Sequence, residues 1–88
     1  MNEIETILHA KYDKRKSFYG KAKVIKTVKG SYLISYSTKV AEIDTEQRVI
    51  VFGSYSPTTT RHIKEYLKQN GFKADNTKQI LKDYGKVK

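Results

Sequence analysis

Eighty-eight residues allow one domain with a single modest core and are too few for two. With 18 Lys and Arg against 9 Asp and Glu the formal net charge is +9, and the absence of cysteine excludes a disulfide framework or a thiolate metal site. No apolar run approaches a membrane span, and the first residues, MNEIETILHA, lack the basic start and apolar block of a signal peptide, so we expect a cytoplasmic protein without membrane contact.

The charge is sorted along the chain. Residues 1–30 carry eight basic and three acidic residues, and residues 56–88 repeat that ratio. Residues 31–55, with two basic and three acidic residues, are nearly neutral and more apolar. Such sorting predicts a cationic surface around a packed centre, which speeds encounter with polyanions and acidic proteins. Lys outnumbers Arg fifteen to three, favouring diffuse contact with a backbone or a protein over bidentate reading of bases.

Residues 2–11 read as a short helix. Asn2 can cap it, Glu3 and Glu5 suit its positive start, and Ile4, Ile7 and Leu8 share one face. The segment KYDKRKSFYGKAK then mixes cations with Tyr12, Phe18 and Tyr19, and Gly20 breaks any helix. Residues 21–28 alternate as a strand with Ala22, Val24 and Val28 on one side, and Lys29–Gly30 forms a hairpin turn. SYLISYS continues as a strand through Ser37, with a bend or bulge at Thr38–Lys39 before VAEID. The chain turns at Thr45–Glu46–Gln47, and RVIVF returns as a strand apolar on both parities.

The best-punctuated element begins at Ser56, a helix cap, followed by Pro57 where a missing N–H costs nothing. Gly71 ends this helix in left-handed geometry, with Phe72 packing back on Leu67. Thr59, Ile63, Tyr66 and Leu67 form its inner face. Arg61, Lys64 and Lys68 fall within roughly 60° of one another on the other side. A last helix, Thr77 to Tyr84, follows an Asn76 cap and offers Ile80, Leu81 and Tyr84 to the core.

Two basic groups are candidate partner-binding residues: Arg61, Lys64 and Lys68 on the main helix, and Lys14, Arg15, Lys16, Lys21 and Lys23 near the N-terminus. The first could lie along a phosphate backbone or an acidic protein groove, against the alternative of a solvated helix face. The second mixes cations with aromatics as base-stacking surfaces do, against the alternative of a loop anchored by Phe18 and Tyr19. Glu42, Asp44 and Glu46 alternate along a hairpin arm; they keep an edge strand soluble or attract lysines of the same chain rather than hold a metal. His62 is a hydrogen-bonding residue on the helix flank and the best-placed acid or base. No Ser/His/Asp or Lys/His/Arg set assembles around it, so no catalytic residue, cofactor or metal is expected.

From Leu33 to Phe72 the chain resembles small proteins encoded by phages and mobile elements of Gram-positive bacteria. The resemblance rests on Ser35, Tyr36, Thr38, Val40 and Ala41, then on Tyr55, Ser56, Thr58, Thr59, Arg61, His62 and Ile63. Relatives often carry proline where this chain has Lys39. The resemblance implies an accessory phage protein, and some small phage proteins inhibit host defences such as CRISPR nucleases.

The expected fold is a single α+β domain over 1–88: a basic segment 1–30, a sheet within 21–53 and a helical part 56–84. Three or four antiparallel strands form a meander, the main helix of about 57–70 packs on one face, and short N- and C-terminal helices cover an edge or the other face. The expected function is non-enzymatic. A phage-type accessory protein in the host cytoplasm engages nucleic-acid machinery through its basic surface, as an anti-CRISPR-like inhibitor of a defence nuclease. Its partner is then a host protein or nucleoprotein complex such as a CRISPR effector, with or without direct nucleic-acid contact. A direct DNA- or RNA-binding regulator is the alternative, and a toxin-like ribonuclease the third reading.

Overall fold

The computed structural model describes residues 3–12, 18 and 20–85. Five antiparallel strands lie side by side in chain order: β1 (Ile4–Ile7), β2 (Ala22–Thr27), β3 (Gly30–Ser35), β4 (Thr38–Asp44) and β5 (Val49–Val51). Two helices follow, α1 (Pro57–Gln69) and α2 (Thr77–Tyr84). The expected α+β class and meander are present, with one strand more and one helix fewer.

That difference is a correction at the N-terminus. The helix expected over 2–11 is replaced by β1, with Ile4 opposite Lys26 and Ile7 opposite Lys23 of β2. A short helix fixes several residues before it gains a stabilising number of bonds, whereas β2 offers a ready edge. Two isoleucines and a threonine in four residues also favour a strand. All four β1 side chains are exposed, and of the expected apolar stripe only Leu8 is buried.

Two turns are also displaced. β2 reverses through Val28–Lys29, one residue earlier than expected, and Gly30 opens β3 with φ 127°. β3 stops at Ser35, so the chain turns at Tyr36–Ser37 instead of running extended to Ser37. The bulge follows: Leu33 faces Ala41 and Ile34 faces Lys39, leaving Val40 unmatched.

Alternation gives the sheet two unlike faces. Leu33, Ala41, Ile43 and Val51 are buried with Ile63, Tyr66 and Leu67 of α1 and with Ile80 of α2. Glu5, Lys23, Tyr32, Lys39 and Glu42 lie on the opposite face, which no described helix covers. Of the two expected positions for the terminal helices, an edge or the other face, the C-terminal helix takes the edge. α2 lies at the β5 end, where Gly85 forms a parallel bridge to Val51.

The caps of both helices are as expected. Ser56 Oγ accepts the Thr59 N–H at 3.3 Å, and Asn76 Oδ1 accepts that of Gln79 at 2.8 Å. Beyond α1, Gly71 has φ 86°, its N–H donates to Lys68, and the Phe72 N–H donates to Leu67. This pair of bonds satisfies carbonyls that a helix end leaves free.

Gly30 and Gly71 both need positive φ, but only Gly30 is crowded: a Cβ there would collide with the Ile43 carbonyl oxygen and Asp44 Cα, while Gly71 faces open space. Gly30→Ala should therefore cost on the order of 3 kcal/mol and Gly71→Ala about 1 kcal/mol, read from urea unfolding. Equal losses would show that strain alone sets both costs.

Tyr66 is fully buried and its hydroxyl hydrogen-bonds Ser31 Oγ at 2.7 Å. Burial pushes its phenol up to about 12, with the Ser31 hydrogen bond acting the other way. The fold thus holds the neutral form. Its contribution is complete below the unfolded value near 10 and is lost as pH rises through about 12. Over that window about 2–3 kcal/mol should disappear, and Tyr66→Phe should flatten this part of the stability-versus-pH curve.

Candidate partner-binding face

α1 is fixed to the sheet by buried polar groups as well as by apolar packing. Ser35 Oγ hydrogen-bonds His62 Nδ1 at 2.8 Å and Thr59 Oγ1 at 3.0 Å. All three residues are buried, and the Phe18 ring meets the imidazole edge-on at 4.6 Å. A serine beside a histidine has the spacing of a nucleophile and its base. Here Ser35 is 2% and His62 1% exposed, so neither presents an atom to a substrate. Their geometry is that of a satisfied core network.

One turn later, Glu65 does similar work on the flank of the helix. Although only 2% exposed, its carboxylate accepts the backbone N–H groups of Lys11 at 2.9 Å and Tyr12 at 2.8 Å. Gln69 donates to the same carboxylate and to the His9 carbonyl oxygen. The chain before the basic segment is thereby strapped to α1 at Glu65, and Phe18 beyond it is seated on His62.

With the inner and flanking positions so occupied, Arg61, Lys64 and Lys68 face outward. Each is half-buried, and none forms an ion pair with a described carboxylate. Glu65, the one acid of α1, is turned away from them into the strap. Between α1 and the start of α2, Arg61 and Lys64 line an open groove with Tyr55, Thr60 and Thr77.

The carboxylates collect elsewhere. Glu5 pairs with Lys23 at 3.5 Å, Glu42 with Lys39 at 3.0 Å, and Asp44 and Glu46 with Arg48. Glu42 and Asp44 share the uncovered sheet face, as their alternation requires, and are engaged by basic residues of the same chain. A backbone hydrogen bond from Arg48 is the main cause holding the Asp44 carboxyl below its ordinary range. Lys39 also lies 4.6 Å from the centre of the Tyr32 ring. No group of three metal-ligating residues forms among the described residues.

Of the basic residues singled out in the sequence, Arg61, Lys64 and Lys68 form one surface. Lys21 is exposed next to Tyr36, whose N–H donates to the Lys21 carbonyl oxygen at 2.8 Å. Lys23 is on the opposite sheet face, tied to Glu5, and does not join the α1 surface. Lys14, Arg15 and Lys16 lie outside the described residues, as does Tyr19. Sequence reasoning missed Glu65 as the strap. Its signal was present, because Glu65 is an isolated acid beside the inner-face residue Tyr66.

The meander, the two helices and their caps extend over the stretch that matches a known family, residues 6–83. The chain belongs to the family of unknown function DUF8033. That stretch runs from within β1 to within α2, so it takes in the Ser35–Thr59–His62 network and the Glu65 strap together. No curated protein and no solved structure matches the chain. No helix among the described residues is long and apolar enough to cross a membrane.

His62→Ala should unfold the protein at lower urea by about 3 kcal/mol, since it opens a cavity and takes from Ser35 Oγ one of its two hydrogen-bond partners. Ser35→Ala should cost about 1–3 kcal/mol by removing the hydroxyl that bonds both His62 Nδ1 and Thr59 Oγ1. Full stability in both variants would show that the network does not hold α1.

Proposed function

We propose that this protein is a non-enzymatic binding protein that seats the nucleic-acid component of host machinery on the outer face of α1. The observation that carries the reading is the triad Arg61, Lys64 and Lys68, without an ion pair among the described residues, on a helix whose only carboxylate is turned inward. A phosphate backbone releases counterions when it meets such a row, and that release supplies affinity without base reading. The basic segment that contains Lys14, Arg15 and Lys16 is flanked by anchors at Glu65 and His62, so both its ends start from this side of the sheet.

Burial of His62 supports binding over ribonuclease chemistry, because a general base must reach the proton it removes. The sequence resemblance supplies the setting: an accessory protein of a phage or mobile element, acting in the host cytoplasm as an anti-CRISPR-like inhibitor of a defence nuclease. A nucleoprotein effector presents the exposed phosphates that this face would meet.

Arg61→Gln/Lys64→Gln/Lys68→Gln keeps helix-forming side chains and removes the charge. Fluorescence anisotropy with labelled oligonucleotides should show weaker binding and a log affinity–log salt slope shallower by about 2–3, at an unfolding free energy within roughly 1 kcal/mol of the parent. An unchanged slope, or no oligonucleotide binding by the parent protein, overturns the reading. In the second case an acidic protein surface becomes the partner class to test.

A further inference from the structure

We infer that Tyr36 is a base-stacking residue, so that the ligand of the α1 face is a single strand with unpaired bases rather than a duplex. This rests on the nucleic-acid reading above and specifies its substrate class.

Tyr36 occupies the first position of the two-residue turn between β3 and β4, with φ 59°. An L-residue with a Cβ adopts that region at a cost, and two-residue hairpins ordinarily place Gly, Asn or Asp there. Burial does not explain the exception. The residue is 53% exposed, and the contact of its ring with His62 is tilted at 39° with centroids 5.9 Å apart. The backbone is pinned in place by the bond from its N–H to the Lys21 carbonyl oxygen. A strained backbone that holds an aromatic ring in water is an outlier with a use to be found.

Its location indicates the use. His62, beneath the ring, is the neighbour of Arg61 in α1. Tyr12, 59% exposed, is held by its N–H to Glu65, about 4.5 Å farther along the helix axis. The Tyr36 ring and the backbone of the exposed Tyr12 thus lie along the flank of a helix whose outer face carries Arg61, Lys64 and Lys68, with the Lys21 backbone joined to Tyr36. Aromatic platforms beside a cationic track are the means by which proteins hold single strands without sequence preference. Duplex bases are already stacked on one another and offer only their edges in the grooves.

The test uses the full chain, a 20-nucleotide oligothymidine, a duplex of the same length, and the variants Tyr36→Gly and Tyr36→Phe. We expect the parent to prefer the single strand by about tenfold at matched salt. Tyr36→Gly should weaken single-strand binding by about tenfold with an unchanged salt slope, yet unfold at the same or higher urea because the turn is relieved. Tyr36→Phe should bind like the parent, since stacking needs the ring and not the hydroxyl. Equal affinity for strand and duplex, or undiminished binding by Tyr36→Gly, overturns the inference while the α1 charge reading stands or falls by its own triple variant. A fall in unfolding midpoint that parallels the loss of binding also overturns it, by making Tyr36 structural. If the parent binds neither oligonucleotide, both readings fail.

Discussion

Ser35, Thr59 and His62 meet in a region closed to water, and the seating of α1 depends on their being satisfied together. A buried hydroxyl or imidazole left without a partner costs about 1–3 kcal/mol. Turning α1 by one residue, about 100°, would withdraw His62 from Ser35 and bring another side chain to the sheet. Apolar packing among Ile63, Tyr66 and Leu67 tolerates small slippage better than a pair of buried hydrogen bonds centred on Ser35 does. Three polar residues therefore set the rotation that leaves Arg61, Lys64 and Lys68 outside.

That rotation has an electrostatic cost within the helix. Arg61 and Lys64, and Lys64 and Lys68, are like charges at the two spacings that bring helical side chains together, each pair unfavourable by a few tenths of a kcal/mol. The first turn of α1 contains no acid to meet its positive end, although Lys68 suits the negative one. Glu65, which could have relieved the repulsion, is spent on backbone N–H groups of Lys11 and Tyr12. The sheet shows the opposite arrangement, with Glu5, Glu42, Asp44 and Glu46 all matched to basic residues. Local stability is favoured on one side of the molecule and conceded on the other, a pattern expected where a surface meets a ligand.

Helical periodicity and cap chemistry made α1 and α2 legible from the sequence, because Ser56, Pro57, Gly71 and Asn76 each act through their own backbone neighbours. β1 was not legible: Ile4, Ile7 and Leu8 fit a helix spacing, and what decides between helix and strand is an edge of β2 that lies 16 or more residues away in the chain. The turn at Tyr36 was hidden for a related reason. It contains no Gly, Asn or Asp, so the usual turn signal is missing where the backbone most needs it. Of the candidate site, the α1 triad followed from wheel geometry alone. The separation of Lys23 from that triad did not, since it depends on which sheet face β2 turns to the helix.

The ends of the sheet differ in a way that bears on assembly. At β5 the outermost position is already taken at Val51 by Gly85, and α2 stands against that strand. At β1 the outer edge is bare among the described residues, with Ile4 60% and Ile7 47% exposed. An incoming strand therefore meets less obstruction at β1 than at β5, and a chain that docks there by its own β1 uses up the same edge in doing so. Edge pairing through β1 thus favours two sheets edge to edge over an open ladder, because the Gly85 bridge obstructs the far end at Val51.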